Sequence, residues 1–208
     1  MKRLVSSAIV AALALCTGAA HAQSSPADAD TTTVLRKGAR SISFTAPLDG
    51  GSAQAGIWRM VDDNTNVGIL VALGASRNSL DVDDDEGSST NTQLNLSLGV
   101  RVRRYADPLG PVRPYILSGA YVFGIHQSHG PGDDLGTTSR VVGVGGLGGL
   151  GVEWFPARRV SISGETGLRA QLSRQTLETD DSVNERTAHS TGLNLDTFTS
   201  GLAVQIYF

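Results

Sequence analysis

The chain has 208 residues, of which 40% are hydrophobic and 18% charged, and its formal net charge at pH 7 is −3. A weakly acidic chain has no basic excess for a nucleic-acid interface. Its single cysteine, Cys16, excludes an intramolecular disulfide and a multi-cysteine metal centre.

The first 22 residues have the three parts of a secretory signal peptide. Basic residues at 2–3 precede an apolar run over 4–15 and the sequence Ala20-His21-Ala22, which predicts cleavage after Ala22. A lipoprotein signal would need a small residue before Cys16, where Leu15 stands. Cleavage would leave 186 residues (208 − 22) and a charge of −5 (−3 − 2). Residues 23–37 are small and polar, and we expect a flexible periplasmic lead-in there.

The remaining chain, residues 38–208, is predicted to be all-β. Twenty-five glycines and no capped amphipathic helix pattern favour strands, and apolar and polar residues alternate with a period of two. The eight predicted strands cover roughly residues 38–46, 53–61, 66–76, 91–105, 112–125, 139–155, 159–172 and 196–208.

The connections between these strands alternate in length, except that the first, residues 47–52, is short as well. Short turns rich in Asp, Asn, Pro and Gly follow the second, fourth and sixth strands, whereas long links cover residues 77–90, 126–138 and 173–190. Short periplasmic turns and long outer loops are typical of a membrane barrel. The pattern therefore predicts one closed, antiparallel, up-and-down transmembrane β-barrel of eight strands, with both ends of the chain in the periplasm.

A soluble barrel with an apolar interior is the alternative, and the aromatic residues argue against it. Seven of the eleven aromatic residues stand at strand ends beside short turns or at the end of the chain. We interpret them as an interfacial girdle at the periplasmic rim. They are Trp58, Tyr105, Tyr115, Trp154, Phe155, Tyr207 and Phe208.

Charged residues in the middle of strands are assigned to the lumen. They alternate with the apolar rows and are Arg101, Arg103, Glu153, Glu165 and Arg169. Isolated buried charges are costly, so we expect the arginines to pair with Glu153 and Glu165 across the lumen. A charged constriction in a narrow pore is the functional alternative.

The long loops are predicted to be acidic and to contain no built metal site. Residues 81–87 have the composition of a calcium loop, but the glycine is one place late and Thr92 stands where the loop needs Glu. Loose bridging of divalent cations to lipopolysaccharide phosphates is an alternative to simple solubility. No cofactor is predicted.

The last strand resembles the closing strand of the small outer-membrane β-barrels of Gram-negative bacteria. Arg113-Pro114-Tyr115, which opens a strand, and the segment 149–156, which closes one, are similar to that family as well. The resemblance implies an integral outer-membrane location. It also implies that Phe208 is read by the barrel-insertion machinery and that lipid and lipopolysaccharide are neighbours.

One pattern in the chain is similar to an enzyme of this fold. Outer-membrane lipid A deacylases use a His-x-Ser-Asn sequence with a downstream acid, and His126 and Ser128 match its first part. His129 stands in place of Asn, and the following strand offers no acid before Glu153. We therefore predict a non-enzymatic barrel that acts through its outer loops. A lipid A deacylase and a narrow pore or carrier of small molecules are the alternatives.

Overall fold

The computed structural model describes residues 34–46, 52–80, 89–131, 137–181, 184–199 and 202–208. Residues 1–33, which include the predicted signal peptide, lie outside this part. The described strands are β1 (Arg40–Thr45), β2 (Ala53–Met60), β3 (Thr65–Leu80), β4 (Ser89–Tyr105), β5 (Val112–Pro131), β6 (Thr137–Ala157), β7 (Val160–Asp181), β8 (Asn184–Thr199) and β9 (Ala203–Tyr207).

The strands form one closed antiparallel ring. Each strand from β1 to β7 pairs with the next in the chain, and β9 pairs with both β7 and β1. Because β8 and β9 follow one another along the same side of β7, they together form the eighth wall position. The predicted eight-stranded up-and-down barrel is confirmed. No helix in the described ranges is long and apolar enough to cross a membrane.

Several strands extend well beyond their predicted ends. β5 continues to Pro131 and β7 to Asp181, so most of the expected loops 126–138 and 173–190 is paired sheet. The sequence pattern missed these extensions because polar residues occupy both faces there, which removes the alternation that marks a strand.

The eighth wall position contains a register change. β8 pairs with β7 through Thr166↔Thr199, and β9 resumes at Ser163↔Ala203, one residue out of step. A one-residue slip exchanges the two faces of a strand. Leu193 and Leu195 therefore face outward on β8, whereas the outward residues at the end of the chain carry even numbers. Continuous alternation along the predicted strand 196–208 would place Phe198 on the outward face with Phe208, and this is wrong, because Phe198 lies against the interior cluster.

The exterior of the wall is apolar. The interior is filled with largely polar side chains at the periplasmic end, which we call the lower end. Large aliphatic side chains such as Leu96, Leu98 and Val144 are about half exposed on the outside. Inside, four aromatic rings each cover the glycine directly opposite on the neighbouring strand. The pairs are Trp58–Gly68, Tyr115–Gly151, Tyr121–Gly145 and Phe123–Gly143.

Residues 34–39 close the periplasmic mouth, and Leu35 is only 2% exposed in a cluster with Met60 and Phe155. The Gly38 amide donates to the Met60 carbonyl at 2.8 Å, and the Lys37 amide donates to the Asp63 carboxylate at 2.9 Å. The expected flexible lead-in is therefore wrong for its last residues, because one buried leucine fixes them to the barrel. In the adjoining turn the Asn64 amide donates to Asp62, which lowers the pKa of that carboxyl.

Candidate functional site

The lower lumen contains two carboxylates, each at the centre of its own set of donors. Glu165 on β7 and Glu153 on β6 are 5% and 0% exposed. Both point inward because they lie on the inward parity of their strands, alternating with outward residues such as Val152 and Trp154. A buried carboxylate is tolerated when it is paired and hydrogen-bonded.

Glu165 binds both lumen arginines of β4. Its Oε1 accepts from Arg103 Nη2 at 2.7 Å and from Tyr115 Oη at 2.9 Å, and its Oε2 accepts from Arg101 Nη1 at 3.0 Å. The Arg103 guanidinium also stacks on the Trp58 ring at 4.1 Å from its centroid. These contacts connect four strands of the wall through one carboxylate.

Glu153 binds hydroxyl groups. Tyr207 Oη donates to its Oε1 at 2.7 Å, and the hydroxyls of Tyr105 and Ser161 donate to the same carboxylate. Arg103 Nη1 lies 3.9 Å from its Oε2 and donates to Gln205 at 2.7 Å. Arg103 thus joins the two carboxylate centres. We call the set Arg101, Arg103, Glu153, Glu165 and their three tyrosines the lumen plug.

Arg169 lies outside the lumen plug, contrary to the predicted pairing with Glu153 or Glu165. It forms a two-bond ion pair with Asp196, which lies directly opposite on β8, at 2.8 and 3.1 Å. The sequence placed Asp196 at the start of a strand and gave no cross-strand register, so this nearer acid was missed.

The predicted aromatic girdle is wrong for five of its residues, which are buried inside the barrel. Trp58, Tyr105, Tyr115, Phe155 and Tyr207 are 1–5% exposed. The sequence contained a usable signal, because Tyr105, Phe155 and Tyr207 stand two residues from Arg103, Glu153 and Gln205 and so share the inward face. Trp154 and Phe208 do face outward, at 47% and 64% exposure.

Above the lumen plug lies a cavity of about 340 Å³. Apolar lining comes from side chains such as Leu70, Phe123 and Phe198, and polar lining from Gln54, Gln171 and Arg101 at the floor. Its upper wall reaches Thr45 and Ser52 at the ends of β1 and β2. We call this space the upper lumen cavity.

Exposed arginine and histidine side chains replace the apolar exterior at the outer end of five strands. We call them the outer basic row: Arg77, His126, Arg140, Arg174 and His189. Arg140 lies directly opposite His126, and Arg174 lies opposite Val142, two residues along β6. Glu178 is also on this face, yet neither Arg140 nor Arg174 has a salt bridge to a described carboxylate.

The two candidate catalytic residues lie on this exterior. His126 and Ser128 share the outward face of β5, two residues apart, and His126 is exposed. A serine–histidine pair needs an acid to orient the imidazole. The position directly across from His126 is occupied by the cation Arg140. Within the described ranges no cluster of His, Cys, Asp or Glu has the arrangement of a metal site.

Comparison with known proteins identifies the architecture. A major outer membrane protein from Thermus thermophilus aligns with a TM-score of 0.58 and 15% identity, over 82% of this chain and 98% of that one. Outer membrane protein W of E. coli aligns at 0.45 and 15%, over 83% and 99%, and the N-terminal β-barrel domain of Pseudomonas aeruginosa OprF at 0.42 and 12%, over 83% and 98%. No family model and no curated sequence matches the chain.

The fold is that of an outer-membrane β-barrel. The first of these alignments, together with the closed ring and the apolar exterior, carries this conclusion. An identity of 15% indicates a shared fold. A shared fold does not determine function, which depends on the particular residues of this chain.

Proposed function

We propose that the protein is a non-enzymatic integral barrel of the bacterial outer membrane whose outer end binds lipopolysaccharide. The single observation that carries this proposal is the outer basic row, which begins where the exposed apolar side chains end. On β6, for example, Val144 and Val142 are followed on the same face by Arg140. Lipid A phosphates lie at that depth of the outer leaflet, just above the acyl chains.

Arginine suits this role because its planar guanidinium donates two parallel hydrogen bonds to a phosphate. Arg140 and Arg174 are diagonal neighbours on adjacent strands, with Cβ atoms within about 8 Å of each other. Two guanidinium groups at that spacing can hold one phosphate between them. The predicted acidic loop residues 81–86, 133 and 134 lie outside the described residues, and their contribution remains a prediction.

A non-catalytic role is supported by Arg140, which occupies the position that an orienting acid would need beside His126. The deacylase alternative rests on the shared outward face of His126 and Ser128. Mass spectrometry of lipid A from cells with and without the protein separates the two, because a deacylase removes one acyl chain from lipid A. Barrel insertion through Phe208 likewise stays a prediction.

The direct test is lipopolysaccharide binding by the double variant Arg140→Gln, Arg174→Gln. We expect its affinity for purified lipopolysaccharide to fall by about tenfold or more at low salt, which corresponds to roughly 1.4 kcal/mol. The matched control is Arg104→Gln, an exposed arginine at the periplasmic end of β4, which should bind normally. Equal affinity of the double variant and the control would refute the proposal.

A further inference from the structure

The barrel wall extends much less far toward its outer end at β1 and β2 than at the long strands β3 to β8. β1 and β2 have 6 and 8 residues, whereas β3 to β8 have between 16 and 22. The β2–β3 ladder ends at Ala53↔Leu73, and the β1–β9 ladder ends at Thr45↔Ala203. Residues 47–51, which join the two short strands, lie outside the described part.

Above these two strands, the flanking strands have free edges. Beyond Leu73 the described part of β3 pairs only with β4, and β8 pairs only with β7 over its whole described length. β3 and β8 do not pair with each other. We call this gap between β3 and β8 the wall notch.

The wall notch lies at the depth of the lipid acyl chains. Leu73 on one side and Leu193 and Leu195 on the other face outward and are 60%, 80% and 71% exposed. An unpaired sheet edge facing hydrocarbon costs several kcal/mol per backbone group, and such edges are tolerated only where they line a wet cavity or are covered. The free edges of the notch therefore require a polar space behind them.

The upper lumen cavity is that space. Its lining includes Thr45 and Ser52 at the low rim of the notch and Phe198 on the free-edged strand β8. Below, the lumen plug and the side chains packed around it block the way to the periplasm, since Trp58 and Gln205, which contact Arg103, are 1% and 0% exposed. The cavity is thus closed below, and among the described residues no strand crosses the wall notch at its side.

We propose that the upper lumen cavity binds a small single-chain amphiphile that enters from the outer leaflet through the wall notch. The apolar side chains Leu70, Phe123 and Phe198 would contact its chain, and Gln54, Gln171 and Arg101 would bind a hydrogen-bonding head group. A volume of about 340 Å³ is at the low end for ligand sites, which excludes a two-chain lipid. Amphiphile binding in the cavity does not depend on the outer basic row, so lipopolysaccharide binding and amphiphile binding can be lost separately.

The occupant is tested by photolabelling with a diazirine-bearing decanol in phosphatidylcholine vesicles, followed by peptide mass spectrometry. We expect saturable labelling of inward cavity residues such as Phe123, which excess unlabelled decanol should abolish. Labelling confined to outward residues such as Leu98 and Leu193 would overturn the proposal.

Two variants of matched size locate the label. Ser97→Phe adds a ring to an inward position that lines the cavity, and Ala170→Phe adds the same ring on the outward face of β7. We expect cavity labelling to fall at least fivefold in the first variant, by displacement of the ligand, and to persist in the second. Undiminished cavity labelling in a folded Ser97→Phe barrel would also overturn the proposal. Heat-dependent gel mobility reports whether each variant is folded.

The route is tested by amide hydrogen exchange on the wild-type barrel in the same vesicles. Edge amides of β8 between 193 and 199 should exchange much faster than those of β6, which is paired on both sides. Added decanol should slow them. Exchange as slow as that of β6 in the empty protein would mean that the wall is closed there, and lateral entry would be refuted.

Discussion

At the residue scale, Glu165 on β7 connects three strands of the wall. It accepts hydrogen bonds from two arginines and a tyrosine on β4 and β5 while it is itself only 5% exposed. The attraction in such a cluster offsets the desolvation cost of its charges only while every partner is present. Loss of one charge therefore leaves its partners buried without compensation.

The substitution Glu165→Gln keeps the shape of the side chain and removes the charge. We expect it to lower the free energy of unfolding by about 3–5 kcal/mol, because two buried guanidinium groups lose their main counter-ion. The matched control is Asp196→Asn, which breaks the ion pair with Arg169, whose two side chains are 38% and 32% exposed. It should cost less than about 1 kcal/mol. Urea unfolding in detergent micelles measures both, and equal costs would contradict the role given to Glu165.

Residue identities alone predicted which charges face the lumen, because Arg101, Arg103, Glu153 and Glu165 alternate with apolar neighbours. They did not predict the place of the aromatic rings. An aromatic residue at a strand end can serve either the membrane interface or the closed interior. Only the parity of its neighbours distinguishes the two, as Tyr207 beside the buried Gln205 illustrates.

At the scale of strands, the inward glycines make room for the aromatic rings of the neighbouring strand. At Gly68 a Cβ atom would overlap the Trp58 ring, and the Arg103 guanidinium lies over that ring at 4.1 Å. The ring therefore has little space in which to move. At this position the Trp58 ring can fill the lumen beside its paired strand only because Gly68 has no Cβ atom.

Gly68→Ala should lower the free energy of unfolding by about 1–3 kcal/mol, since the added methyl group displaces Trp58 from its place beside Arg103. Gly164→Ala is the control, because a Cβ atom there meets nothing within 4 Å. The tryptophan emission spectrum should shift in the first variant and not in the second. A Gly68→Ala protein as stable as Gly164→Ala would contradict the packing described here.

The approximate position of every strand was predictable from alternation, whereas strand ends and the register change were not. The outer parts of β5 and β7 are polar on both faces, so their pairing depends on the neighbouring strand and has no local signal. Between Thr199 and Ala203 the outward positions change from odd to even residue numbers, because the register against β7 shifts by one residue. One sequence read in isolation cannot reveal which residue a bulge adds.

At the scale of the whole molecule, the barrel is filled at its periplasmic end. Leu35, Trp58, Met60, Phe155 and Tyr207 are all 3% exposed or less, and the lumen plug lies among them. Eight strands enclose a lumen that side chains are able to fill. These features favour the closed barrel over the pore that the sequence left as an alternative.

We therefore expect the purified protein to give no single-channel currents in planar lipid bilayers at neutral pH. The reason is that ions would need to displace the paired side chains around Glu153 and Glu165. A parallel assay of heat-dependent gel mobility on the same sample shows that folded protein was tested. Regular current steps from the wild-type protein would contradict a closed lumen and revive the narrow-pore alternative.

The ladder between β1 and β9 has a consequence for how the cylinder forms. The register between the two strands has five residue pairs, from Ser41↔Tyr207 to Thr45↔Ala203, which join positions more than 150 apart in the chain. This β1–β9 ladder is shorter than the ladders that join β3 through β8. A hydrogen bond from Gln205 Nε2 to Ser41 Oγ inside the barrel strengthens it. Ring closure should be the last step of assembly, and reopening under force should begin at the same ladder.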